Sequence, residues 1–238
     1  MTSKPYRRGY PVAVLTGIEQ TQAAIWKIYS QVAKLETTIR LESTRSDSKT
    51  LYSFHEAIIN TLRPILNEGV KSIIVASPQK TSYSQDFLSH VRGHHQWLLQ
   101  GANKATFKQL VGSAVTHAQV SSITSSSEFK QSINESTFEE AENLRELLEK
   151  RLNATNSLVM FSLEEAEDII YSSEIPGKPK PEYLLLTDNY LADNKRKGRL
   201  NRLMQIAQNK KIKTRIVNKE SPTGARINQL GGLICLLK

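Results

Sequence analysis

The chain has 238 residues, of which 39% are hydrophobic and 23% charged, and a formal net charge of +9. This is a globular composition, long enough for one large domain or two ordinary ones, and it excludes a disordered or fibrous chain. A single cysteine, Cys235 in an apolar run, excludes a disulfide framework and a thiolate metal cluster and fits a reducing cytoplasm.

Residues 1–10 form a basic arm, and Met1 to Gly9 carry charges with no apolar stretch behind them, so neither export nor membrane insertion is expected. No window approaches the ~18 to 20 apolar residues that a span requires. Beyond the arm, Val12 to Ile18 and Ala23 to Tyr29 are β-branched and aromatic segments that predict a strand hairpin, with a third strand from Lys34 to Leu41. Glu42 to Thr50 is a polar loop. Phe54, Ile58, Leu62, Ile65 and Leu66 then recur at helical spacing up to Gly69, with Pro64 expected to kink or shorten the last turn. Ile73 to Ala76 predicts a buried strand ending at Ser77-Pro78, and Ser82-x-x-Gln85 predicts a capping box for a helix carrying Phe87, Leu88 and Val91. Ala105 to Val111 reads as one more strand. The order β, β, β, α, β, α, β describes a mixed sheet with flanking helices over residues 11–130.

Ser121 to Ser127 contains five serines and one threonine, which marks a helix end or a flexible join. A second domain is expected over 136–238, opening on Ser136-x-x-Glu139 as another capping box before Phe138, Ala141, Leu144, Leu148 and Leu152. Leu158 to Phe161 predicts a short strand, Ser162-x-x-Glu165 caps a helix to Tyr171, and Pro176 to Pro181 breaks the chain. Tyr183 to Thr187 reads as a strand. Asp193 or Asn194 is expected to cap a helix with Leu200, Leu203, Met204 and Ala207, and strands follow at Ile212 to Val217 and Gly232 to Leu237. The fold class is therefore α/β, with two α/β domains, the second a compact α/β/α sandwich.

The second domain resembles the C-terminal domain shared by Pelota and the class-one release factors of archaea and eukaryotes. The resemblance rests on an ordered set: the Leu163-Glu164-Glu165-Ala166-Glu167 helix, the Tyr183 to Asp188 strand, a basic helix, and the closing run Ser221 to Leu237 with its Leu230-Gly231-Gly232 turn. Gly231 and Gly232 can take positive φ and so turn a helix sharply into an apolar strand. The first domain is similar to the family's central domain through its early paired strands and the Ser72 to Pro78 strand and turn. Release factors carry Gly-Gly-Gln in the loop before the first helix, where it positions a water at the peptidyl-tRNA ester. Here that loop is Glu42 to Thr50, without glycine or glutamine, as in Pelota, so hydrolysis by that route is not expected and the chain reads as no enzyme. On the same reading the family's N-terminal decoding domain has no counterpart, and stop-codon reading is not expected.

Other constellations carry less. His90 and His94 are spaced i, i+4 with His95 beside them, but no HExxH glutamate lies between them and no third ligand can be placed, so the expectation is a solvated or RNA-facing cluster and no metal. Ser113 and His117 lack a G-x-S-x-G elbow and read as an ordinary turn. Neither a P-loop nor G-x-G-x-x-G occurs, and no cofactor is expected.

The basic excess points to phosphate backbones, which reward cationic surfaces through counterion release. Lys4, Arg7, Arg8, Arg40, Arg45, Lys49, Lys80 and Arg92 are the expected RNA contacts, while Lys195, Arg196, Lys197, Arg199, Arg202, Lys210 and Lys211 are expected to dock a protein partner or RNA. The resemblance implies a cytoplasmic, ribosome-associated factor that binds ribosomal RNA in rescue, recycling or dormancy. Transfer RNA is a further partner, and a ribosome-splitting ABC ATPase or a translational GTPase is the protein expected against the C-terminal domain. Two alternatives stand beside it: a divergent peptidyl-tRNA hydrolase using Gln20, Gln22 or Gln79, and an RNA-binding module free of ribosomes, since the α/β/α unit also resembles kink-turn-binding ribosomal proteins.

Overall fold

Three β-rich segments near the start pair locally, because each is a run of branched or aromatic residues closed by a polar turn. In the computed structural model, which describes residues 10–101, 104–156, 158–194 and 197–238, they are β1 (Pro11–Ile18), β2 (Gln22–Tyr29) and β3 (Ala33–Arg40). They form an antiparallel meander, with Leu15 opposite Trp26 and Ala23 opposite Ile39. Helix α1 (Ser48–Asn67) follows, then β4 (Ser72–Ser77), α2 (Tyr83–His94), a single 3-10 turn (Gln96–Leu98) and β5 (Thr106–Val111). β4 lies parallel to β1 and β5 parallel to β4, giving the sheet order β3-β2-β1-β4-β5. All six residues of β4 are buried, as an interior parallel strand covered on both faces requires.

One face of this sheet, through Ala13, Leu15, Ala24, Trp26, Ile74 and Ala76, packs on Val120 and Phe129 of helices α3 (His117–Ser125) and α4 (Ser127–Leu152). The Trp26 indole N–H donates to the Ala114 carbonyl at 2.8 Å, so the largest side chain of that face is buried without an orphaned donor. A Cβ at Gly17 would sit 2.4 Å from the same Ala114 carbonyl oxygen, which explains a glycine inside an interior strand.

The second sheet contains β6 (Val159–Met160), β7 (Pro181–Thr187), β8 (Lys213–Val217) and β9 (Leu233–Leu237), in the order β6-β9-β7-β8. Helices α5 (Leu163–Ser172) and α7 (Lys197–Asn209) cover one face with Ala166, Ile170, Leu200 and Leu203, while α4 and α8 (Pro222–Gln229) cover the other with Leu144, Leu148 and Ile227. A short helix α6 (Asp188–Asp193) follows β7. This is the α/β/α sandwich that the sequence predicts. By compactness the described residues up to Pro64 with Lys71–Thr137 form one unit, and Ile65–Val70 with Phe138–Lys238 form the other.

Several local expectations need correction. Ser136 caps nothing: it is buried in the interior of α4, nine residues past the helix start. The serine-rich segment is helical on both sides of Ser126, so it marks a helix end and no flexible join. Ser82 precedes α2 but its hydroxyl bonds Asp86 at 2.7 Å in place of a backbone N–H. Asn194 closes α6 and does not open α7. The capping box at Ser162 and Glu165 is formed as expected, and an equivalent box at Thr116 and Gln119 was not recognised in the sequence. Pro64 leaves α1 continuous to Asn67.

The closing run behaves as its residues suggest. Ser221 accepts the Gly224 amide at 3.0 Å and Pro222 fills the first turn of α8. Gly231 and Gly232 then take φ of +106° and +85° to turn the chain into β9, and a Cβ on Gly232 would lie 2.7 Å from the Tyr190 ring. Gly232→Ala should therefore cost about 2–4 kcal/mol in chemical denaturation, the left-handed strain and the clash adding together.

Beneath α4, Arg215 of β8 pairs with Glu140 at 2.6 Å, their side chains only 5% and 4% exposed. A buried pair of this kind is costly to break and cheap to replace as a whole. Arg215→Ala is expected to lose about 3–5 kcal/mol, and the double change Arg215→Met with Glu140→Leu to recover most of it, as measured by urea midpoints.

Candidate nucleic-acid interface

The polar segment between β3 and α1 is shorter and more ordered than its sequence suggests, since α1 already begins at Ser48. Asp47 caps that helix: one carboxylate oxygen accepts the Lys49 amide at 3.1 Å and the other accepts the Thr50 hydroxyl. These bonds, the hydroxyl first, hold the Asp47 carboxyl below its usual range. Thr44 and Ser46 share a hydroxyl hydrogen bond of 2.8 Å, and the Asp47 amide donates to the Thr44 carbonyl at 3.1 Å.

Arg45 is the centre of this loop, and it is not a free surface cation. Its Nε donates to the Gln20 carbonyl at 3.0 Å, its Nη2 donates to the Glu19 carbonyl, and its guanidinium carbon stands 3.9 Å from the centre of the Tyr83 ring. Burial lowers its pKa, and Tyr83 and Asp86 nearby oppose that shift. One side chain thus ties the β1–β2 turn, the loop and the start of α2 together. Arg45, expected from the sequence to contact RNA, is held within the fold by these bonds.

The remaining expected contacts of the first unit are placed differently. Arg40, Lys49, Lys80 and Arg92 are all exposed. Lys80 sits in the β4–α2 turn with φ of +62°, a left-handed position unusual for a lysine, next to the Thr81 hydroxyl that donates to the Pro78 carbonyl at 2.7 Å. Gln79 is exposed in the same turn, while Gln20 lends its carbonyl to Arg45. Lys4, Arg7 and Arg8 lie outside the described residues.

In the second unit, Lys197, Arg202 and Lys211 are exposed, the last at φ +59° where α7 turns toward β8. Arg199 is committed within the fold: its Nε lies 2.8 and 2.9 Å from the Glu167 carboxylate oxygens and its Nη1 lies 3.1 Å from Glu164, joining α7 to α5. The Glu167 bonds raise its pKa further. Lys210 donates to the Tyr171 carbonyl at 3.0 Å, in the last turn of α5. Lys195 and Arg196 lie outside the described residues.

The histidines depart most from expectation. His94 is exposed, but His90 and His95 are buried and both reach Glu56 of α1, at 2.9 and 2.7 Å. Spacing along α2 gave no sign of Glu56, which is 34 and 39 residues away from them. His117 is exposed at the start of α3 and packs edge-on against Trp26, with ring centres 4.7 Å apart.

No protein-family model matches the chain. A protein pelota homolog from Hyperthermus butylicus is 30% identical over 111 residues, which are 46% of this chain and 29% of that protein. Among solved structures, the archaeal Pelota in a model of ribosome-bound archaeal Pelota and ABCE1 matches with a TM-score of 0.54 and 19% identity, over 95% of this chain and 61% of that one. Dom34 of S. cerevisiae, described as a translation termination-like factor involved in RNA quality control and interacting with Hbs1, matches at 0.50 and 18%, over 98% and 64%. At these identities the structural likeness is one of fold. The chain spans under a third of the curated relative and under two thirds of the structural ones.

Arg45→Ala should lower stability by about 1–3 kcal/mol, through the lost carbonyl bonds and ring contact, and should speed protease cleavage within residues 41–47. Arg45→Lys should restore less than half of the loss, because an ammonium cannot serve both carbonyls and lie flat on the ring.

Proposed function

We propose that this chain, a member of the Pelota and class-one release factor superfamily by its fold and by its similarity to a Pelota homolog, is a ribosome-associated translation factor that acts by binding, without cleaving peptidyl-tRNA. The observation that carries the reading is the fold shared with an archaeal Pelota solved in its ribosome-bound state. The β3–α1 loop supports the second half of the proposal. It contains neither glycine nor glutamine, and Arg45 draws it onto the β1–β2 turn, so the Gly-Gly-Gln arrangement that positions a water in release factors has no equivalent in its sequence.

The exposed cations Arg40, Lys49, Lys80 and Arg92 are the surface assigned to ribosomal RNA, where phosphate contacts position a factor without reading sequence. Lys197, Arg202 and Lys211 are assigned to a protein partner, an ABC ATPase or a translational GTPase by analogy with the partners named for the two structural relatives. The cellular setting would be the cytoplasm, in rescue or recycling of ribosomes, and among the described residues no helix is long and apolar enough to cross a membrane.

Sedimentation through sucrose gradients tests the reading. The protein should travel with ribosomal fractions at low salt, and Lys49→Glu with Lys80→Glu and Arg92→Glu should weaken this at least tenfold and reduce the salt slope by about one per contact removed. Protein that stays at the top of a low-salt gradient, or cleavage of peptidyl-tRNA abolished by changing Gln20, Gln22 or Gln79, would overturn it.

A further inference from the structure

The contact between α1 and the end of α2 is built from an unusual set of side chains. Four of the five histidines of the chain, His55, His90, His94 and His95, gather there with Glu56, Tyr52 and Trp97. Ring centres of His90 lie 5.1 Å from His55, 4.9 Å from His94 and 5.4 Å from His95. Such density is not what an amphipathic helix pair needs, because aliphatic residues would fill the same volume without any polar atom to satisfy.

Within the cluster, the Nε2 atoms of His90 and His95 both converge on Oε1 of Glu56, at 2.9 and 2.7 Å. A donor atom from each of the three residues lies within 4.8 Å of the others. The imidazoles are nearly sealed, their side chains 6% and 9% exposed, whereas the carboxylate is 27% exposed and faces water on one side. We propose that Glu56, His90 and His95 form a binding site for one divalent transition-metal ion, with Zn²⁺ the best-fitting occupant.

The chemistry of the set supports an ion of that class. Two neutral imidazoles and one carboxylate are a ligand combination of open zinc sites, which keep a fourth position for water or another ligand. Magnesium and calcium take oxygen ligands and fit poorly. Metal–ligand bonds of about 2.0–2.1 Å place tetrahedral ligand atoms about 3.3 Å apart, so the present spacings need only small side-chain rotations to admit the ion. Both nitrogens must be unprotonated to bind. Burial lowers the pKa of His90, opposed by Glu56, and despite burial the hydrogen bonds from His95 and His90 hold the Glu56 carboxyl below its usual value.

His55, next to Glu56 in sequence, adds a second indication. It is 3% exposed and its Nε2 has no hydrogen-bond partner. Its ring packs against that of His90, with centres 5.1 Å apart. An ion at Glu56 would join α1 to α2 at the side chains that end the latter, with Tyr52 and Trp97 exposed at the margin.

The full chain, stripped with a chelator and dialysed, should bind one equivalent of Zn²⁺ in calorimetry at pH 7.5 and show a raised thermal midpoint with the ion. Co²⁺ in its place should give visible d–d absorption of nitrogen and oxygen ligation with no thiolate charge-transfer band. Mg²⁺ should have no effect. Glu56→Gln and His95→Asn, each close in shape to the original, should weaken Zn²⁺ at least thirtyfold, while His94→Asn and His117→Asn leave it unchanged. Should the first two variants prove poorly folded, proton NMR of the wild-type histidine rings gives the answer, since Zn²⁺ must shift the signals of His90 and His95. Absence of stoichiometric binding, affinity unaltered by Glu56→Gln and His95→Asn together, or ring signals of those histidines unmoved by Zn²⁺ would each overturn the proposal.

Discussion

A single guanidinium sets the form of one edge of the first unit. Arg45 spends its charge inside the fold, on two carbonyls of the β1–β2 turn and on the face of Tyr83, and three segments that would otherwise move separately become one surface. A partly buried charge held in this way is tolerated because hydrogen bonds and a ring face replace its water. The loop between β3 and α1 is drawn onto the β1–β2 turn by its own side chain.

The same economy applies to the net charge of +9. Arg215 is consumed by Glu140, Arg199 by Glu167 and Glu164, Arg226 by Glu149, and Arg151 and Lys213 by Glu182. These pairs join helices and strands of the second unit and contribute nothing to attracting a polyanion. What remains at the surface is a smaller set of exposed cations, among them Lys49, Lys80, Arg92, Lys197 and Arg202. A count of basic residues therefore overstates the interface, because a sequence does not show which cation finds an acid.

Strands and their order were legible because runs such as Ile73 to Ala76 and Tyr183 to Thr187 are long enough in branched or apolar residues to be buried on both faces. The Gly231-Gly232 turn was legible for a different reason, since only glycine enters that backbone region without strain. The start of α4 was not. Its buried positions include Ser136 and Glu140, which hydropathy reads as surface, so the helix seemed to begin at a serine that lies inside it. The histidine site escaped for a third reason: Glu56 reaches His90 and His95 only because two helices lie side by side, and no spacing along one helix encodes that. Local signals survive in a sequence, whereas partners brought together by packing do not.

The position of β9 has a consequence for how the protein is made. Among the described residues it is the last of nine strands in sequence, yet it lies between β6 and β7 and supplies residues to both hydrophobic layers of its unit, Leu233, Cys235 and Leu237 to one and Ile234 and Leu236 to the other. During synthesis the earlier strands emerge with an empty slot at the middle of their sheet, and neither layer can close. The first unit, whose strands end at Val111, meets no such delay. While it is being made, the chain is therefore a finished domain followed by an open apolar one. That interval, before β9 clears the exit tunnel, is when aggregation and proteolysis have their best access to it.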